Sequence, residues 1–122
     1  MKNDMDTNAF GLGTLTHVMT TAGLRHRVIA QNIANVNTPH YKRLEVSFGA
    51  ELTRALRSEG GSATPFPAPQ VVEVPGPERV DGNTVDIDRE MSEVTKNALL
   101  YQAAVQIMAS RISTLRSAIT GR

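Results

Sequence analysis

The sequence predicts a mainly α-helical fold, in which two long terminal helices pair as an antiparallel coiled coil around a short middle region. Apolar residues recur at alternating three- and four-residue steps near both ends of the chain. Five of the six prolines and four of the nine glycines lie within residues 58–83. We therefore expect an N-terminal helix with an Asn-rich turn over residues 1–43 and a C-terminal coiled-coil helix over 84–122. Between them, residues 44–83 form a short, irregular or β-containing, partly mobile Pro/Gly-rich region.

The N-terminal helix is predicted over roughly residues 8–36. It has an apolar seam with one histidine, consisting of Leu12, Leu15, Met19, Ala22, His26, Ile29, Ile33 and Val36. Thr38-Pro39 ends this pattern because a residue before proline is disfavoured in the α conformation.

The middle region contains three weaker signals. Leu44, Val46 and Phe48 alternate with polar residues, which predicts a short strand. A second extended piece is predicted around residues 71–74, where Val71, Val72 and Val74 cluster. Leu52 and Leu56 indicate a helical turn or two between these strands.

The C-terminal helix has the strongest signal, because no Gly or Pro interrupts residues 86–120. Asp86 stands at the expected N-cap position. The seam consists of Ile87, Met91, Val94, Ala98, Tyr101, Val105, Met108, Ile112, Leu115 and Ile119. At about 1.5 Å per residue this helix is roughly 50 Å long, too long for the centre of a compact globule. Its seam therefore predicts burial against other copies or other chains.

Composition excludes several classes of function. A net charge of +1 argues against a dedicated binder of nucleic acid or anionic membrane, and the absence of cysteine excludes disulfides and thiolate chemistry. No apolar run approaches the roughly 18 residues of a membrane span, and the polar start of the chain predicts no cleaved secretory signal. His17, His26 and His40 lack metal-ligand spacing, and no serine has a neighbouring base and acid. We therefore expect neither an enzyme nor a metal or cofactor site.

The segment from Asn32 to Lys42 is the most informative part of the chain. Asn is a poor residue inside a helix but suits helix ends, where its amide can satisfy exposed carbonyl groups. Three Asn residues followed by Thr38-Pro39 thus predict a helix stop. Tyr41 is expected to pack back on the helix while its hydroxyl finds a hydrogen-bond partner.

This segment resembles the motif N-x-A-N-x-x-T-P-G-Y-K of the bacterial flagellar basal-body rod proteins. The matching residues are Asn32, Ala34, Asn35, Thr38, Pro39, Tyr41 and Lys42. His40 replaces the usual glycine, so a turn with positive φ would place this histidine in the left-handed region, which His tolerates better than most residues. A second stretch, residues 81–91 followed by 97–104, is similar to the proximal members of the family.

The resemblance implies a structural subunit of the proximal rod, which builds the axial tube that transmits torque from motor to hook. The implied partners are copies of itself, other rod proteins, the adaptor FliE at the membrane ring and the flagellar type III export apparatus. The implied location is the periplasmic rod of the basal body, reached without a cleaved signal peptide. The residues alone leave a second interpretation open, a soluble helical-hairpin adaptor that binds a helical partner through the same seams.

Overall fold

The structure, a computed structural model, describes residues 4–47 and 68–121. Helix α1 covers Asp4–Ala34 and helix α2 covers Ile87–Thr120, with strands β1 (Leu44–Ser47) and β2 (Gln70–Glu73) between them. Two long helices that pack against each other dominate the described part, which confirms the predicted fold class. Over these residues, neither helix has a stretch long and apolar enough to cross a membrane.

The two helices run antiparallel. The side chain of Asn97 contacts the backbone of Ala22, whereas Glu90 contacts Asn32. Later residues of α2 therefore pack against earlier residues of α1. Helix α1 ends at Ala34, slightly before the predicted boundary. The chain then tightens into a turn, in which the Val36 amide donates to the Ile33 carbonyl at 3.2 Å.

The middle region forms a two-stranded antiparallel sheet, which confirms the two predicted extended segments where they are described. The register pairs Leu44 with Glu73 and Ser47 with Gln70. Strand β1 packs against α1, whereas all four residues of β2 are exposed. Phe48 and the predicted helical turn at Leu52 and Leu56 lie outside the described residues.

Helix α2 begins with the predicted cap. The Asp86 carboxylate accepts hydrogen bonds from the amides of Asp88 at 3.0 Å and Arg89 at 3.4 Å. These bonds satisfy amides that have no partner inside the first turn of a helix. The helix closes at Gly121, whose φ of 69° suits a left-handed C-cap.

The face of α2 that packs on α1 differs from its predicted seam. Glu90, Asn97 and Ala104 are the buried residues of α2 and recur every seven positions, and we call them the contact row. The ten seam residues, which we call the apolar row, are exposed except for Val94 and Met108, which are half-buried. On α1, Ala22 and Ile29 of the predicted seam are buried, whereas His26 is exposed. The remaining residues of the predicted N-terminal seam are half-buried, and Val36 lies beyond the end of α1: Leu12, Leu15, Met19, Ile33 and Val36.

Candidate assembly site: a buried polar joint

A buried polar joint connects the end of α1, strand β1 and the start of α2. Its members are Asn32, Arg43, Asn83 and Glu90, which have exposed fractions of 0%, 6%, 0% and 0%. Fully buried polar side chains destabilise a fold unless each finds hydrogen-bond partners.

Asn32 uses all of its hydrogen-bonding capacity. Its Nδ2 donates to the Leu44 carbonyl at 2.8 Å and to Glu90 Oε2 at 3.3 Å. Its Oδ1 accepts from the Leu44 amide at 3.0 Å and from the Tyr41 hydroxyl at 3.1 Å. Two donors and two lone pairs are all that a carboxamide has. The side chain therefore binds β1 as a neighbouring strand would, and links it to both helices.

Glu90 and Arg43 form a buried ion pair beside Asn32. Arg43 Nε donates to Glu90 Oε1, and Arg43 Nη1 donates to Glu45 Oε1 at the edge of the joint. Burial lowers the pKa of Arg43, but hydrogen bonds to Glu45 and Glu90 more than offset this and raise the pKa overall. The Arg43 backbone amide also donates to Thr84 Oγ1 at 2.8 Å, so the chain just before α2 holds this residue in place.

Asn83 binds the turn that follows α1, although it lies just before α2 in the sequence. Its Nδ2 donates to the carbonyls of Asn35 at 2.9 Å, Val36 at 3.2 Å and Thr38 at 2.8 Å. Its Oδ1 accepts from the Val85 amide at 2.7 Å. The guanidinium of Arg79 also donates to the Val36 carbonyl. Carbonyls of the turn that follows α1 are thus bound by side chains that precede α2.

The turn after α1 relies on two left-handed residues in contact. His40 has φ of 62° and Gly82 has φ of 79°. The sequence left the geometry at His40 open, and the structure places this residue in the left-handed region. The His40 amide donates to the Asp81 carbonyl at 2.9 Å, and a Cβ on Gly82 would lie 2.7 Å from His40 Nδ1. Glycine is therefore needed at position 82 for two reasons: its backbone is left-handed, and a side chain there would clash with His40.

Comparison with known proteins decides the family. No family model matches the chain. A flagellar basal body rod protein FlgB from Cereibacter sphaeroides is 36% identical, over 90% of this chain and 94% of that protein. The FlgB of Aeromonas hydrophila is 34% identical over 93% of each chain, and that of Bacillus subtilis is 32% identical over 88% of this chain and 91% of its own. The chain belongs to the FlgB family of flagellar basal body rod proteins. The family resemblance seen in the two sequence motifs is confirmed.

In this FlgB-family chain, the predicted motif residues divide between the joint and its rim. Asn32 lies at the centre, and the Tyr41 hydroxyl bonds to it, as expected of a tyrosine that packs back on the helix. Burial, with the nearby Glu90 charge, raises the pKa of Tyr41. At the rim, Asn35 Nδ2 donates to the Gln31 carbonyl at 2.8 Å, which is the predicted use of an amide at a helix end.

The other motif residues lie at the surface of the turn. Thr38 Oγ1 donates to Asn35 Oδ1 at 3.1 Å, whereas Ala34 and Pro39 are exposed. Lys42 Nζ donates to Glu78 Oε1 at 2.6 Å and to the Gly82 carbonyl at 2.8 Å. The Lys42 ammonium lowers the pKa of Glu78.

Sequence reasoning missed three of the four residues of the FlgB-family joint. No site role was predicted for Glu90, Arg43 or Asn83. The signal that was present is the seven-residue spacing of Glu90, Asn97 and Ala104, which places polar and small side chains on one face of α2. Within residues 4–47 and 68–121, no three His, Asp or Glu side chains gather into a metal-binding cluster.

Proposed function

We propose that this chain is a structural subunit of the proximal rod of the flagellar basal body. Its terminal helices assemble with those of neighbouring subunits into the axial tube that carries torque from motor to hook. Membership of the FlgB family supports this proposal, because the relatives are basal body rod proteins by name.

The observation that carries the proposal is the exposed apolar row of α2. Tyr101 is 42% exposed, Ile112 48% and Ile119 85%, although each continues the same heptad pattern. Scattered exposed apolar residues are normal, but a continuous row on one helix face marks a protein-interaction surface. Within the described part of the chain, α1 covers the contact row and leaves this apolar row to neighbours.

The proposed partners follow from this role. They are copies of the chain itself, other rod proteins, the adaptor FliE at the membrane ring and the flagellar type III export apparatus. The proposed location is the periplasmic rod, which the subunit reaches by flagellar export without a cleaved signal peptide. No nucleic-acid partner is proposed, because the positive and negative charges of the chain nearly cancel.

In situ cross-linking tests the proposal. The chain has no cysteine, so single Val105→Cys and Leu115→Cys variants place unique thiols on the apolar row. In a strain that lacks the native protein, a bismaleimide reagent is expected to link these variants to another copy or to rod proteins within isolated basal bodies. Ser113→Cys, which is also exposed but lies on the polar face, is the matched control and is expected to link far less.

A soluble helical-hairpin adaptor would give a different pattern. Its row variants would cross-link to one helical partner in the soluble fraction and be missing from purified basal bodies. That result, combined with normal rods in a strain without the protein, would overturn the proposed role.

A further inference from the structure

We propose that Glu90 and Asn97 are positioning residues that fix the rotation of α2 about its own axis. Helix α2 has two candidate faces for packing on α1, the contact row and the apolar row. These rows are offset by one residue at Glu90/Met91 and Asn97/Ala98, which corresponds to a rotation of roughly 100°. The polar residues select the first face and thereby hold the apolar row at the surface.

Hydrophobic burial alone favours the other face. Rotating the apolar row inward would cover Met91, Ala98 and Val105, all of which are exposed. The observed packing instead buries a carboxylate, a carboxamide and one methyl group. Within residues 4–47 and 68–121, the buried Asn97 Oδ1 and Thr21 Oγ1 have no hydrogen-bond partner. A helix pair chosen for apolar contact would avoid such atoms.

Directional polar bonds account for the choice. Glu90 accepts hydrogen bonds from Arg43 and Asn32. Two turns further along α2, Asn97 Nδ2 donates to the Ala22 carbonyl at 2.8 Å. The backbone of Arg43 stays in place when α2 rotates, because its amide is bonded to Thr84 Oγ1, which precedes the helix. Rotation would take away one of the two carboxylates that this buried guanidinium binds, which costs free energy because the Nε–H group is left without its acceptor.

Polar residues at isolated core positions set register and pairing in other coiled coils, at some loss of apolar burial. Here the specified quantity is the rotation of one helix against its neighbour in the same chain. The identity of the partner that covers the exposed apolar row rests on the proposed function. The rotation of α2, in contrast, is a property of the isolated chain.

Thiol accessibility measures the rotation directly. Ala98 is exposed and Ala104 is 3% exposed, so Ala98→Cys and Ala104→Cys are matched reporters of the two faces. In the native background, the thiol at position 98 is expected to react about tenfold faster with a maleimide than the thiol at position 104. With both Glu90→Leu and Asn97→Leu present, the ratio is expected to invert while the helical circular dichroism signal persists.

Glu90→Gln is the conservative control. Glutamine keeps an oxygen acceptor for Arg43 but turns its amide nitrogen toward Asn32 Nδ2, so this variant is expected to be less stable while the native labelling ratio persists. An unchanged ratio in the folded double-leucine variant would overturn the inference. Loss of the helical signal would also overturn it, because the polar residues would then hold the pair together rather than choose between two viable faces.

Motility separates this inference from the proposed function. If the labelling ratio inverts and the double-leucine variant fails to restore swimming, both stand. If the ratio inverts and swimming is normal, α2 rotates as inferred but the apolar row is not needed for the rod, which contradicts the proposed function alone.

Discussion

Replacing Asn32 by aspartate tests the polar joint with a change of one atom. Asn32→Asp keeps the side-chain shape and the Oδ1 that accepts from Leu44 and Tyr41. It replaces Nδ2 by oxygen, so the bonds of 2.8 Å to the Leu44 carbonyl and 3.3 Å to Glu90 Oε2 become contacts between acceptors. Each buried acceptor left unsatisfied costs about 1–3 kcal/mol, and more where it is charged. We expect a loss of about 3–5 kcal/mol in the free energy of unfolding at pH 7.

Urea unfolding followed by circular dichroism measures this loss. For a urea slope of about 1.5 kcal/mol per M, the midpoint falls by about 2–3 M, and a marginal parent chain would be unfolded without urea. The new carboxyl is buried beside Glu90, so its pKa in the folded state is raised. In the unfolded chain this carboxyl has an ordinary pKa near 4, and below that pH the protonated group stabilises the fold fully. The stabilisation is lost as the pH rises through the higher pKa that the group has in the folded chain. The deficit is therefore expected to shrink on acidification from pH 7 to 5.

Asn35→Asp is the matched control for this measurement. It makes the same chemical change three residues later, just past the end of α1, where one exposed bond of 2.8 Å to the Gln31 carbonyl is lost. The expected loss is below about 1 kcal/mol, because water can replace this bond. If Asn32→Asp and Asn35→Asp differ by less than about 1 kcal/mol at pH 7, the account of the joint is refuted.

Three further outcomes are expected. Tyr101→Asp and Ile33→Asp are expected to block swimming in soft agar, because each places a charge in a proposed subunit interface; intact hook–basal bodies in both would contradict the rod role. Gly82→Ala is expected to destabilise the chain by about 1–3 kcal/mol through its left-handed backbone and its contact with His40. Adding His40→Gly should recover part of that loss in a double-mutant cycle, whereas strict additivity would show that the contact is unimportant. The dilute purified chain is expected to be largely monomeric, with rapid amide exchange at the distal helix ends; strong protection there would contradict the need for neighbours.

Local patterns predicted the elements well because their causes are local. An unbroken heptad pattern and the carboxylate of Asp86 are enough to place α2, and alternation of polar and apolar residues is enough for β1. In each case the deciding interactions lie within a few residues of one another.

The packing face of α2 could not be obtained in this way. The apolar row predicts a helix, but several faces of that helix are compatible with it. The observed face depends on Arg43, which is 47 residues from Glu90, and on the bond between Asn97 and Ala22, 75 residues apart. Only the fold brings such distant partners together, so the spacing of residues in one sequence does not predict the polar joint.

The bonds between Asn83 and the turn after α1 have a consequence for the order of folding. Asn83 lies 48 residues beyond Asn35, whose carbonyl it binds, and Glu90 lies 58 residues beyond Asn32. The chain between these partners must close before the bonds form, so local contacts alone cannot complete the turn after α1 or the bonds of the Asn32 side chain. A chain that emerges N-terminus first, whether from a ribosome or from a narrow channel, lacks these partners until residue 90 has appeared. These bonds therefore form only after almost three-quarters of the 122 residues are present.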